Sequence, residues 1–180
     1  MSETRRARGA SVLLAASLCL LFPVFSAADP PANLVDKQRI IHSLQRAPEA
    51  HTRGLVVAAR PTAENVHRIA LDIRFANDSD RLTEAAHAQL AELGSALSSA
   101  ELAHTRFMIA GHTSATGASD HNQRLSESRA RAVRSYLVGH FHIEPHRLES
   151  VGYGAARPLP DFPPAALEQR RVEISTLPDL

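Results

Sequence analysis

From Val66 to Phe75 the chain alternates between apolar and polar residues. Ile69, Leu71, Ile73 and Phe75 fall on one side, and Arg68, Ala70, Asp72 and Arg74 on the other. A period of two with one polar face specifies a half-buried strand. A strand of this kind must be covered by a second layer on its apolar face, which restricts the chain to a small set of architectures.

The covering layer can be read downstream. Asn77-Asp78-Ser79-Asp80 is a polar turn, and Thr83 can cap a helix in which Ala86, Leu90, Leu93 and Leu97 share one face. Phe107 and Ile109 begin a second strand that ends at Gly111, followed by a loop from His112 to His121. Residues 122–138 have the period of a second amphipathic helix, expected to stop near Gly139. Leu148 to Tyr153 read as a third strand. A Pro-rich loop (Pro158, Pro160, Pro163, Pro164) leads to a last strand, where Val172 and Ile174 alternate with Arg171, Glu173 and Ser175. The order βαβαβ-loop-β predicts an α+β two-layer sandwich, a mixed four-stranded sheet with two helices on one face. Right-handed crossovers make the first strand pairings parallel and leave the rest antiparallel. No internal repeat is present.

The first 28 residues stand apart. Arg5, Arg6 and Arg8 precede an apolar run from Val12 to Phe22, and Ser26-Ala27-Ala28 supplies small residues at a cleavage point. This is the pattern of a cleaved secretory signal peptide, and the run is too short to span a bilayer. Cys19, the single cysteine, lies inside it, preceded by Leu18 rather than the small residue that lipid attachment needs. A mature chain from about Asp29 is then expected to have no thiol chemistry, no lipid anchor and no transmembrane segment, and to be exported. Loss of Arg5, Arg6, Arg8 and Glu3 turns the net charge from +1 to −1. That balance, with 4% aromatics and no Trp, argues against nucleic acid as a partner. Residues 29–65 read as an extension packed on the domain, with helical spacing in Val35, Ile40, Ile41 and Leu44 and a short apolar piece at Leu55-Val56-Val57.

The second helix contains one residue out of pattern. With Leu125 set at 0°, Tyr136, Val133 and Ala132 fall at about 20°, 80° and 340°, and Arg129 at about 40°, on the apolar face. A guanidinium there is either a structural ion pair or snorkelling group, or an anion-binding group at a cleft. The compact loop Gly111-His112-Thr113-Ser114-Ala115-Thr116-Gly117 lies just before that helix, at a strand end where ligands often bind. It is not a P-loop, because no Gly-Lys-Ser/Thr follows.

Other constellations read as structural. No Cys or clear carboxylate joins His140, His142 and His146, so they read as a His-rich surface loop, and no metal or cofactor is expected. His112, Ser114 and Asp120 have the residue types of a hydrolytic triad but share one short loop without a nucleophile elbow, so the chain is not expected to be an enzyme. His112 is expected to orient the loop through hydrogen bonds and Tyr153 to pack. Gly152 and Gly154 are expected to serve a tight turn, and Arg171 with Glu173 to form a solvated strand face.

Phe75 with Asp78-Ser79 and Leu82, Gly111-His112-Thr113-Ser114, Gly117, Asn122 and Leu125-Ser126-x-x-Arg129-Ala130 together resemble the OmpA-like C-terminal domain. Val151-Gly152-Tyr153-Gly154, Pro158 and Arg170-Arg171-Val172-Glu173-Ile174 extend the resemblance, which covers residues 66–177. It implies non-covalent binding to peptidoglycan in the periplasm, with association to the outer membrane and an envelope protein as a further partner. In that family the ligand is the diaminopimelate residue of the stem peptide. An Asp closing the Gly-His-Thr-Asp motif meets its ammonium, and the Arg of Leu-Ser-x-x-Arg-Ala meets its carboxylate. Carried onto this chain, the resemblance implies Arg129, Asn122, Thr116 and Arg170 as ligand-binding residues.

The chain departs from the family at the acidic position, which is Ser114. A hydroxyl accepts a hydrogen bond from an ammonium but brings no charge. Asp78, Asp80 and Asp120 are the candidate substitute carboxylates. Gln169 stands where the family usually has Asn, and Ala165-Ala166 where it often has Gly-Arg. Two readings follow: a wall-binding module, or an OmpA-like domain with a degenerate ligand site that acts as a protein-interaction module in an envelope assembly.

Overall fold

A computed structural model describes residues 34–45 and 66–178. The expected signal peptide and the Leu55-Val56-Val57 piece lie outside the described residues. The elements run α1 (Lys37–Leu44), β1 (Arg68–Leu71), α2 (Glu84–Leu97), β2 (Arg106–Gly111), α3 (Ser119–Phe141), β3 (Leu148–Gly152) and β4 (Val172–Leu177).

The four strands form one sheet in the order β1-β4-β2-β3. β2 and β3 are parallel, while β4 is antiparallel to both β1 and β2. The α+β class is as expected, but the pairing differs in one respect. β1 and β2 point the same way without touching, because the last strand inserts between them. An adjacent parallel pair would have left β4 at an edge, with its alternating Val172 and Ile174 only half supported; in the centre both are buried.

The core forms between the sheet and the helices. Ala86, Leu90, Leu93 and Leu97 of α2 are fully buried, as their spacing requires, against Phe107, Ile109 and Ile174. Thr83 caps α2, its hydroxyl accepting from the Ala86 N–H. α1 belongs to the same core: Ile40 and Leu44 have no exposed surface, and Gln89 of α2 bonds both the N–H and the C=O of Val35.

Two boundaries differ from the sequence reading. The alternation through Phe75 is kept in burial, but the β ladder ends at Leu71, where the Ile73 N–H turns back to the Leu71 carbonyl. α3 runs through Gly139 to Phe141, since a helix tolerates an exposed glycine at modest cost. It stops at His142, in the left-handed conformation (φ 53°), with Pro145 beyond.

The buried stripe of α3 is Asn122, Ser126, Arg129, Ala130, Val133 and Leu137. It centres about 90° round the wheel from Leu125, which is only half-buried. Arg129 therefore sits on the flank of the buried face, not in its middle. Small residues bring α3 close to the sheet. A Cβ on Gly111 would strike the backbone carbonyl of Ser126, and one on Gly152 would strike the Glu127 N–H and the Ser126 hydroxyl. Gly152 is thus required by close packing, while Gly154, with φ 49°, does make the expected turn.

Candidate functional site

The β1–β4 ladder ends at the Leu71–Val172 pair. Past that point the two segments are no longer paired, and a cavity of about 660 Å³ is lined by residues 70–77 on one side and by Leu167, Glu168, Arg170 and Arg171 on the other. Phe75, His112, Arg129, Arg170 and Arg171 are among the side chains that line it. Its acidic groups are Asp72, which Arg74 holds at 2.9 Å, and Glu168. The cleft therefore has a mixed Leu71–Phe75 wall, whose charges pair with each other, and a cationic side at Arg129, Arg170 and Arg171.

Arg129 is 9% exposed. Its Nε donates to the Ser79 carbonyl at 2.9 Å, and its Cζ lies 5.0 Å from the centroid of the Phe75 ring. Among the described residues it makes no ion pair, and its terminal nitrogens have no protein partner. Burial pulls its pKa down, Arg170 adds to that, and Asp78 and Asp80 oppose it. Of the two readings open to this residue, the structural ion pair is not what forms. The side chain is fixed at one nitrogen and on one face, with its two terminal nitrogens unbonded among the described residues.

Ser114, Thr116 and Asn122 form a second group, which does not line the cleft. Ser114 is 5% exposed, and its hydroxyl lies 2.9 Å from that of exposed Thr116. The Asn122 amide donates to the carbonyls of Ser114 (3.3 Å) and Thr116 (2.9 Å), bracing the loop from inside. The loop is also tied to the β3–β4 connection: Thr113 N–H bonds Gly154 O, and Ala115 N–H bonds Pro164 O. Arg170 is exposed on the cleft wall. Of the candidate carboxylates, Asp120 lies exposed in the first turn of α3, Asp80 is exposed in the turn after Phe75, and Asp78 lies 2.6 Å from His121 Nε2.

Three expectations need correction. His112 does not orient the loop through its ring. It is 3% exposed, and neither ring nitrogen has a hydrogen-bond partner among the described residues, Nε2 lying 4.0 Å from the Glu173 carboxylate. Burial, with Arg171 and Arg157 nearby, pushes its pKa down to about 4. Arg171 is not on a solvated face but 8% exposed, 3.4 Å from Glu173. Arg171 lies just ahead of β4 and donates to the carbonyls of Arg157 and Gln169, so the β3–β4 connection covers it, which alternation alone cannot reveal. Tyr153 packs on His112, yet it also carries Arg157, whose Cζ sits 3.6 Å from the ring centroid.

Phe75 and Gln169 were missed as site residues. Phe75 has the spacing of a core residue but serves as the platform for Arg129. The Gln169 amide, 1% exposed, bonds Leu159 through both N–H and C=O and also reaches the Phe162 carbonyl, fixing the Pro-rich loop beside the cleft. The three histidines near the end of α3 are engaged separately: His140 stacks on Tyr136, His142 ends the helix, and His146 pairs with Glu144.

Residues 74–171 match the model of the OmpA family. The chain belongs to the OmpA family. It is 31% identical over 139 residues to outer membrane porin F of Pseudomonas aeruginosa, covering 75% of this chain and 39% of that protein. It is also 43% identical over 54 residues to the peptidoglycan-associated lipoprotein of the same organism, covering 30% of this chain and 32% of that one. The chain thus spans about two fifths or less of these relatives. The OmpA-like domain of FopA1 from Francisella tularensis superimposes with a TM-score of 0.53 at 23% identity, over 61% of this chain and 72% of that one. Among the described residues no helix is long and apolar enough to cross a membrane.

Proposed function

We propose that this OmpA-family chain is a non-catalytic module that associates non-covalently with peptidoglycan in the periplasm, reached by a cleaved signal peptide. Arg129 grips the carboxylate of the diaminopimelate residue in the stem peptide. The observation that carries this reading is the Arg129 side chain itself: buried, held by Ser79 and Phe75, and without a paired carboxylate among the described residues. A guanidinium in that state costs desolvation, and an anionic ligand offsets it with two parallel charge-assisted bonds. The family membership and the name of the peptidoglycan-associated lipoprotein favour the same ligand class. Arg170 adds positive charge on the cleft wall, and the loop braced by Asn122 forms the neighbouring rim.

Cosedimentation with purified peptidoglycan sacculi tests this reading. The wild-type chain is expected in the pellet and Arg129→Gln, checked for folding by circular dichroism, in the supernatant. Truncating one partner of a buried, hydrogen-bonded charge pair costs about 2–5 kcal/mol, enough to empty the pellet. Equal pelleting of both chains contradicts the reading.

A second reading has one observation in its favour. Ser114 is buried and bonded to Thr116, so the loop offers no charge to an ammonium. A degenerate site would leave a protein-interaction module with an envelope partner. Absence of the wild-type chain from the sacculus pellet is the outcome that favours it.

A further inference from the structure

His112 follows β2 directly, and its backbone N–H bonds the Arg171 carbonyl just ahead of β4. Its ring is buried without a hydrogen bond at either nitrogen among the described residues. An imidazole in that state is held without its second proton, because a buried charge needs a partner. The groups around it sharpen the point. Arg171 and Glu173 face it from the start of β4 and lie 3.4 Å apart. Tyr153, just after β3, packs on the ring and carries Arg157 of the β3–β4 connection on its other side. Arg68 of β1 reaches Glu173 at 3.7 Å. Asp72 of the segment after β1 lines the same cavity but is committed to Arg74, and α3 adds only the cation Arg129 there. Among the described residues Glu173 is therefore the one carboxylate within ion-pair reach of His112, at 4.0 Å from Nε2, and Arg171 already holds it.

Arg171 also clasps the β3–β4 connection. Its guanidinium donates to the Arg157 carbonyl at 3.2 Å and to the Gln169 carbonyl at 3.4 Å, near the two ends of that segment. The segment carries Leu167 and Arg170 on the cleft wall, and its Pro164 carbonyl accepts from the Ala115 N–H. A proton on His112 places a third positive charge beside Arg171 and Arg157 and sets the imidazolium in competition with Arg171 for one anion.

We propose that His112 is a proton-sensitive latch: protonation draws Glu173 from Arg171 to the imidazolium and releases the β3–β4 connection, with the cleft wall it carries, while the core stays folded. The latch belongs to the chain alone and does not depend on which ligand the cleft takes. Its sign follows from the closed form, in which burial, Arg171 and Arg157 hold the His112 pKa at about 4, against an ordinary value of 6.5 once released. Between those values the released form binds the proton and the closed form does not. Closure is therefore fully favoured above about pH 6.5 and is lost as the pH falls toward 4. From pH 7 to pH 5 the opening equilibrium rises about twentyfold.

The test is amide hydrogen exchange of the ligand-free chain, followed by NMR at pH 7 and pH 5 with and without dilute urea and corrected for the intrinsic exchange rate at each pH. The Leu159 N–H, bonded to Gln169 Oε1, and the Arg170 N–H, bonded to the Leu167 carbonyl, report on the connection. The Leu93 N–H, in the buried face of α2, reports on the core. Leu159 and Arg170 are expected to open about twentyfold more at pH 5 than at pH 7, with little dependence on urea and less protection than Leu93, as local opening requires. His112→Asn is expected to abolish the increase. The ring resonances of His112 in the wild-type chain give a check that needs no variant: they should titrate well below 6.5. A ring that titrates at or above that value overturns the proposal. So does equal opening at the two pH values, or an increase that persists in His112→Asn. Leu159 and Arg170 amides that share the protection and the urea dependence of Leu93 also overturn it, because the proton then acts on global stability alone.

Discussion

The guanidinium of Arg129 lies over the ring of Phe75, with Cζ 5.0 Å from the ring centroid, while its Nε is tied to the Ser79 carbonyl at 2.9 Å. One turn of polypeptide, residues 75–79, therefore supplies both the face and the anchor that hold this cation. A cation over a ring that water still reaches, as it does half-buried Phe75, is worth about 1 kcal/mol. Phe75→Leu keeps the apolar volume and removes the ring face. It should weaken muropeptide binding roughly fivefold and change stability far less, as read by titration beside urea denaturation.

The imidazole of His112 gives the fold a pH dependence. Its folded pKa, about 4, lies below the ordinary value of 6.5. Between those values the unfolded chain binds the proton and the folded chain does not. Stability is therefore full above about pH 6.5 and falls as the pH drops toward 4, by on the order of 3 kcal/mol. Urea denaturation at pH 7 and pH 4.5 should show the loss, and His112→Asn should remove most of the difference between the two.

Close approach of α3 to the sheet is a matter of missing side chains. Gly111→Ala drives a methyl group into the Ser126 carbonyl, and backbone cannot yield as a flexible side chain would. The expected cost is about 1–3 kcal/mol. Gly139→Ala meets nothing within 4 Å and lies inside a helix, so it should be neutral or mildly stabilising. Thermal denaturation of the pair separates packing from any general effect of replacing glycine.

α1 is a structural part of the domain. Leu44 has no exposed surface and lies in the common core, so Leu44→Ala should cost about 2–5 kcal/mol. A cost below 1 kcal/mol in urea denaturation would mean that the helix is only loosely attached.

The fold was legible wherever one residue's burial depends on its own neighbours in the chain. The faces of α2 and of the 69–75 segment follow from spacing alone. Strand order did not follow, because insertion of β4 between β1 and β2 is a long-range choice that leaves no local trace. A similar gap explains Arg171: alternation marks the outer face of a strand, but only the path of the β3–β4 connection covers that residue. Arg129 was visible as a charge on the apolar side of a helix. Its platform was not, because Phe75 has the spacing of any core aromatic. The departure at Ser114 was evident at once, because it replaces one residue inside an otherwise intact motif. The orphaned nitrogens of His112 were hidden for the opposite reason, since a polar side chain in a Gly-bracketed loop reads as hydrogen-bonded.

The most direct test of the central claim is an NMR titration of the chain with a diaminopimelate-containing muropeptide, following amide shifts. Saturable shifts at Phe75, Ser79, Arg129 and Arg170, absent in Arg129→Gln, are the predicted result. Shifts that leave these residues still, or no shifts at millimolar ligand from a folded chain, would contradict a peptidoglycan site built on Arg129.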